Sequence, residues 1–122
     1  MMHGFIIPGR LPGTNEIIDA AKSHYGSYAA LKRMNTELVA WVSKRIPAMT
    51  SVEISITWHE PNEKRDIDNV AGGTKFILDG LVMAGRIPND TQRYVKAINH
   101  RFTVDRKNPR VEVEITQLPD GT

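Results

Sequence analysis

The chain contains no cysteine, which excludes disulfide frameworks and thiolate metal sites and leaves stability to packing alone. No apolar run approaches the roughly 20 residues that a helix needs to cross a bilayer. Met1 to Ile7 has neither the charged start nor the long apolar stretch of a secretion signal, so the expected location is the cytoplasm, with no membrane partner. Gly-x-x-x-x-Gly-Lys-Ser/Thr, Gly-x-Gly-x-x-Gly and Gly-x-Ser-x-Gly are also missing, so a nucleotide cofactor and serine hydrolase chemistry lose their usual signatures. His3, His24, His59 and His100 have no zinc-site spacing. No repeat, low-complexity tract or shift in composition divides the 122 residues, and a single domain over 1–122 is expected. A hydrophobic content of 40% beside a charged content of 25% fits an ordinary globular protein.

What is present is a segregation of charge. The net charge of +2 is by itself weak support for a nucleic-acid partner. Between Arg93 and Arg110, however, stand Arg93, Lys96, Arg101, Arg106, Lys107 and Arg110 against Asp105 alone, while acids gather from Glu60 to Asp68 and at Asp79 and Asp90. A basic surface beside an acidic pocket is what a phosphodiester enzyme needs, with cations drawing in the backbone and carboxylates holding a metal ion. A solvated strand surface is the bland alternative.

The pattern of apolar residues places these charges. Gly4 to Ile7 is a short strand, and the Pro- and Gly-rich segment Pro8 to Gly13 is a loop. Helical character starts near Asn15, breaks around Tyr25-Gly26-Ser27, and resumes with Leu31, Met34, Leu38, Trp41 and Val42 as core positions, ending at Ile46-Pro47. Val52, Ile54, Ile56 and Trp58 alternate with polar residues as a strand buried on one face. One helix is expected from about Asp68 to Ala84, stopped by Gly85, with Val70, Thr74, Ile77, Leu78 and Leu81 inward. On such a continuous helix Asp68, Lys75 and Asp79 share one polar edge, and Gly72 either permits a phosphate or a strand to come close or simply marks a weak helix start. A strand reaching Val104, a hairpin loop over Asp105 to Pro109, a closing strand through Val111, Val113 and Ile115, and a frayed tail from Leu118 to Thr122 complete an α+β fold: a small mixed or antiparallel sheet packed with two main helices.

The segment Arg65-Asp66-Ile67-Asp68-Asn69, followed by Lys75, Asp79 and Asp90, carries the chemistry. Hard oxygen ligands suit Mg²⁺ or Mn²⁺, which leave positions open for water and phosphate. Asp68 can instead cap the helix, and Asp79 can pair with Lys75. Asp66 and Asp68 sit two apart and project to one side of an extended segment, where like charges need a cation: a metal ion, Arg65 or Lys75.

These residues, with Asp79-Gly80-Leu81 and Asn89-Asp90, resemble the signature of RusA-type Holliday junction resolvases; Leu11-Pro12-Gly13-Thr14-Asn15 looks like a diverged form of that family's N-terminal loop. The resemblance implies an Mg²⁺-dependent homodimeric endodeoxyribonuclease that nicks four-way DNA junctions in recombination and repair. It assigns Asp66, Asp68 and Asp90 to the metal and Lys75 to an essential basic role. Arg65, Arg93, Lys96 and Arg101 are candidate DNA contacts, and Mn²⁺ is a substitute ion. One departure is a longer Asn69–Lys75 segment, by about three residues, which shifts Lys75 along a helix by roughly 4.5 Å and turns it by about 60°. Two alternatives stay open: a metal-dependent nuclease for flaps, single strands or RNA, and a DNA-binding remnant without catalysis, such as a degenerate prophage relative.

Overall fold

The computed structural model describes residues 2–119. Eight elements follow in order: β1 (Met2–Pro8), α1 (Thr14–Ser23), α2 (Tyr25–Ser43), β2 (Val52–Glu60), α3 (Ile67–Ala71), α4 (Thr74–Met83), β3 (Val95–Val104) and β4 (Arg110–Gln117). The strands form one mixed sheet in the order β1-β4-β2-β3, with β2 and β3 parallel and the other pairs antiparallel. The fold is α+β, as the alternation of apolar residues implies. Val52, Ile54, Ile56 and Trp58 of β2 are buried against Val39 of α2 and Phe76, Ile77 and Leu81 of α4, while Glu53, Ser55, Thr57 and His59 turn to the open face. Among the described residues no helix is long and apolar enough to cross a membrane.

Four local readings change. Met34 and Trp41, expected in the core, are 69% and 71% exposed, whereas Leu31, Leu38 and Val42 of the same set pack against the core beside the buried Val39 and Ala40. The helix expected from Asp68 to Ala84 is two helices, broken at Gly72-Gly73. That break arises from a tight approach: a Cβ on Gly72 would collide with Thr14, and one on Gly73 would stand 3.0 Å from Leu11 Cβ and 3.2 Å from Trp58. Gly72 thus admits the β1–α1 loop, neither a phosphate nor a strand. Asp105 to Pro109 is a crossover and not a hairpin, since β2 lies between β3 and β4 and pairs with both. The tail is tied at its start, where Leu118 N–H donates to Ser51 O at 2.7 Å, and residues 120–122 lie outside the described residues.

Candidate metal and phosphate site

Asp66, Asp68, Asp79 and Asp90 lie in the stretch between β2 and β3, and its entrance is fixed by one arginine. Glu60 ends the inward row of β2 and is 7% exposed. Arg65 Nε and Nη2 donate to its two carboxylate oxygens at 2.9 and 2.8 Å, and Arg10 Nη2 donates to it at 2.8 Å. Arg65 Nη1 then reaches Glu16 at 2.7 Å and Leu11 O at 3.2 Å. Burial pushes the Glu16 carboxyl up, but the Arg65 guanidinium and the Gly13 N–H outweigh it and hold Glu16 below the usual carboxylate range. Planar bidentate pairing of this kind fixes orientation as well as distance. The same loop is held from its other side by Asn69, buried beneath Gly13, whose Oδ1 accepts from Asn15 N–H at 2.9 Å. The N-terminal loop, β2 and α3 are therefore tied to one another by side-chain bonds.

Asp66 and Asp68 stand just beyond this anchor. Asp66 is the N-cap residue of α3 in extended geometry (φ −65°, ψ 153°), yet its side chain makes no capping bond; Asp68 lies in the first turn. Both are exposed. Among the described residues neither carboxylate accepts a hydrogen bond or joins an ion pair, so capping and salt bridging, the two ordinary roles, are both unfilled. Arg65 does not serve them; its three nitrogens bond to Glu60, Glu16 and Leu11 O. Asp66 lines a cavity of about 850 Å³ with Arg65, Ile67, Val70, Phe102 and Val104.

Lys75 lies in the first turn of α4 and is exposed, and no ion pair links it to Asp79 one turn on. The continuous helix on which Asp68, Lys75 and Asp79 were to share a polar edge is interrupted at Gly72-Gly73, which puts Asp68 on α3 and Lys75 and Asp79 on α4. Asp79 and Asp90 meet instead in a second cavity of about 450 Å³, between α2, α4 and the α4–β3 loop. Asp90 is exposed, and among the described residues its carboxylate has no hydrogen bond. Among the described residues no three His, Cys, Asp or Glu side chains form a group that could hold a metal ion. The donor chemistry nevertheless suits a hard cation, because these are unpartnered carboxylates and not capped or paired ones.

The basic run is dispersed. Arg93 lies over the Tyr94 ring, 5.6 Å from its centroid. Lys96 is the extra residue where the β2–β3 register slips between Val52/Val95 and Glu53/Ala97. Arg101 is opposite Thr57 and shares the open face, away from the helix side that carries Asp66. Arg110 is engaged by Asp105 at 2.8 Å and Glu112 at 3.1 Å. Reading the sequence overlooked Glu60 and Glu16 as partners of Arg65. The available signal was Glu60 itself, a charge at an inward position of an alternating strand that requires a counterion.

No curated protein matches the chain. The family model described as Endodeoxyribonuclease RusA matches residues 15–116, a span that holds the acidic loop, the broken helix, Asp90 and three of the four strands. The chain belongs to the RusA endodeoxyribonuclease family.

Proposed function

We propose that the protein is a Mg²⁺-dependent endodeoxyribonuclease that resolves four-way DNA junctions by paired nicks, acting in recombination and repair as a homodimer, with Mn²⁺ as a substitute ion. Family membership supports the coarser activity, an endodeoxyribonuclease of junction DNA. The observation that carries the finer reading is the exposure of Asp66 and Asp68 without cap or ion pair among the described residues, next to an arginine each of whose three nitrogens bonds elsewhere.

In this reading Asp66, Asp68 and Asp90 are the carboxylates that hold one or two divalent cations. When bound, such an ion supplies a water of lowered pKa and positive charge opposite the phosphate oxygens. Lys75, exposed and unpaired, neutralises charge on the phosphate. Arg93, Lys96 and Arg101 contact the DNA backbone and set position more than sequence. Arg65 contributes by holding the acidic loop at a fixed angle to β2. Two copies about a two-fold axis match the near-symmetry of a junction, so the nicks come in pairs.

The test is cleavage of a synthetic four-way junction beside linear duplex and a flap, with Mg²⁺, Mn²⁺ or EDTA. Paired nicks confined to the junction and abolished by EDTA are expected. Asp68→Asn is expected to keep junction binding and lose cleavage, and cleavage at the wild-type rate would sink the metal-ligand assignment. Cleavage of flaps or linear strands alone would keep the chemistry and discard the substrate. A second reading, DNA binding without catalysis, draws on the separation of Asp66 and Asp90 into different cavities. It predicts junction binding with no metal-dependent product.

A further inference from the structure

The cavity beside Asp66 has the walls of a site for a flat, uncharged ring. Trp58, His100 and Phe102 form a row of near-parallel rings on β2 and β3, with neighbouring planes 17° and 16° apart and centroids separated by 6.1 Å. One end of the row is fixed in the core, where Trp58 is 1% exposed and its indole N–H donates to His100 Nδ1 at 3.0 Å. The other end, Phe102, lines the cavity of about 850 Å³, a volume within the roughly 300–1,000 Å³ of small-molecule sites. Ile67 and Val104 line it too and are 63% and 41% exposed. Large apolar side chains that gather in the open mark a binding surface, whereas single scattered ones do not. The charge of the walls selects among guests. Glu60 is paired with Arg65 and Arg10, but Asp66 and Glu63 have no ion pair among the described residues, so the cavity repels a phosphate. A ring with polar edges finds partners there. Asn62 Oδ1 accepts the Lys64 N–H at 3.0 Å, while the Asn62 amide nitrogen and the Glu63 carboxylate have no hydrogen bond among the described residues.

From this we infer that the cavity takes up one unstacked nucleobase of the DNA strand whose phosphate lies at Asp66 and Asp68, with the base laid on Phe102 between Ile67 and Val104. The inference rests on the proposed function for the DNA substrate and for the place of the phosphate. It adds that a base leaves the helical stack beside that phosphate. Asp66 belongs both to the acidic loop and to the cavity wall, so a single nucleotide can present its phosphate to the one and its ring to the other. This continuity with the acidic loop favours a DNA strand over the competing occupant, a second copy of the chain. Every base has a π-face, so stacking on Phe102 tolerates sequence, while Asn62 and Glu63 offer one donor and one acceptor to the base edge. Extraction of a base costs least where stacking is already weak, and strands that change arms at a four-way junction interrupt the stack there. The pocket thereby links recognition of a branch point to the placement of a phosphate among the acids.

The test reads the base and not the cleavage. 2-Aminopurine, a base whose fluorescence is quenched while it is stacked in DNA, is placed in turn at each nucleotide flanking the crossover of a synthetic four-way junction. Its fluorescence is followed as the full-length protein is added in EDTA, and the anisotropy of a remote dye reports binding. A rise at one position of the strand is expected. In Phe102→Ala the rise is expected to fall at least about five-fold, the change in extrahelical population that loss of one base–aromatic stack produces. Phe102→Tyr, which keeps the ring, is expected to retain it. Val104→Asp, a change at an exposed position, is expected to lose it. A bound junction with no rise at any position, or an equal rise in Phe102→Ala and Val104→Asp, would overturn the inference. A missing rise with a change from dimer to monomer in Val104→Asp, read by sedimentation, would also overturn it, by making a second copy the occupant. Failure of the proposed function reads out separately. An Asp68→Asn variant that still cleaves refutes the metal assignment and leaves the rise in place, whereas absence of junction binding removes the DNA reading and this inference with it.

Discussion

Replacing Arg65 by methionine separates an anchoring role from a DNA-contacting one. The guanidinium donates twice to Glu60 and once each to Glu16 and Leu11 O, with side chains of Arg65 and Glu60 only 13% and 9% exposed. Removing one member of a buried pair leaves an uncompensated charge and costs about 3–5 kcal/mol. Here Arg10 remains on Glu60 at 2.8 Å, which puts the expected loss at the lower end, about 3 kcal/mol. In urea, with a slope of about 1.5 kcal/mol/M, the unfolding midpoint falls by about 2 M. The double variant Arg65→Met/Glu60→Leu is expected to recover most of that loss, because an apolar pair of similar volume leaves no stranded carboxylate. Cleavage by Arg65→Met falls while the salt dependence of junction binding stays at the wild-type slope. A stability change under about 1 kcal/mol, with a binding slope reduced by about one charge, would refute the anchor and make Arg65 a phosphate contact.

Gly80→Ala places a methyl 2.5 Å from Val39 Cβ and Cγ1; overpacking of that kind costs about 1–3 kcal/mol, checked by thermal or urea unfolding. His100 accepts the Trp58 indole N–H at 3.0 Å, and burial holds its pKa below the ordinary histidine value. The sign follows from the neutral form being favoured in the fold: its contribution is complete above the unfolded-state pKa and is lost as pH falls through that value toward the folded one. A histidine NMR titration of His100 with a midpoint at or above that of an unstructured peptide would contradict this. Lys96→Gln is expected to weaken junction binding evenly across sequences and to lower the salt slope by about one, measured by fluorescence anisotropy at several salt concentrations.

Strand β2, the acidic loop and the closing strand were legible in the sequence because each follows a local rule: period-two alternation, a turn-rich polar segment, or paired acids next to a helix start. The break at Gly72-Gly73 was not. Each glycine alone is tolerable in a helix, and only the arrival of Thr14 and Leu11 from far along the chain decides the matter. Met34 and Trp41 misled for a related reason, since their spacing defines a stripe but not which stripe meets the sheet. The parallel pairing of β2 with β3 is likewise a property of topology, invisible to either strand's own residues. At the candidate site, Asp66, Asp68, Lys75 and Asp90 are singled out by the resemblance to the family's signature, with Lys75 displaced by the longer Asn69–Lys75 segment. Their distribution between two cavities, with Asp79 and Thr36 in the second, depends on how α2 and α4 pack.

The sheet begins with its first strand and closes with its last: β1 lies beside β4 from Met2↔Thr116 to Pro8↔Arg110, and β4 also covers one edge of β2. During synthesis β1 and β2 therefore leave the ribosome before the strand that unites them exists. Native pairing waits on closing a loop of nearly the whole chain, which makes folding slow relative to local helix formation. A chain terminated before Arg110 would lose more than a final strand. It would leave β1 unpaired and the buried row of β2 open along one edge, a product disposed to aggregate and be degraded before it could fold.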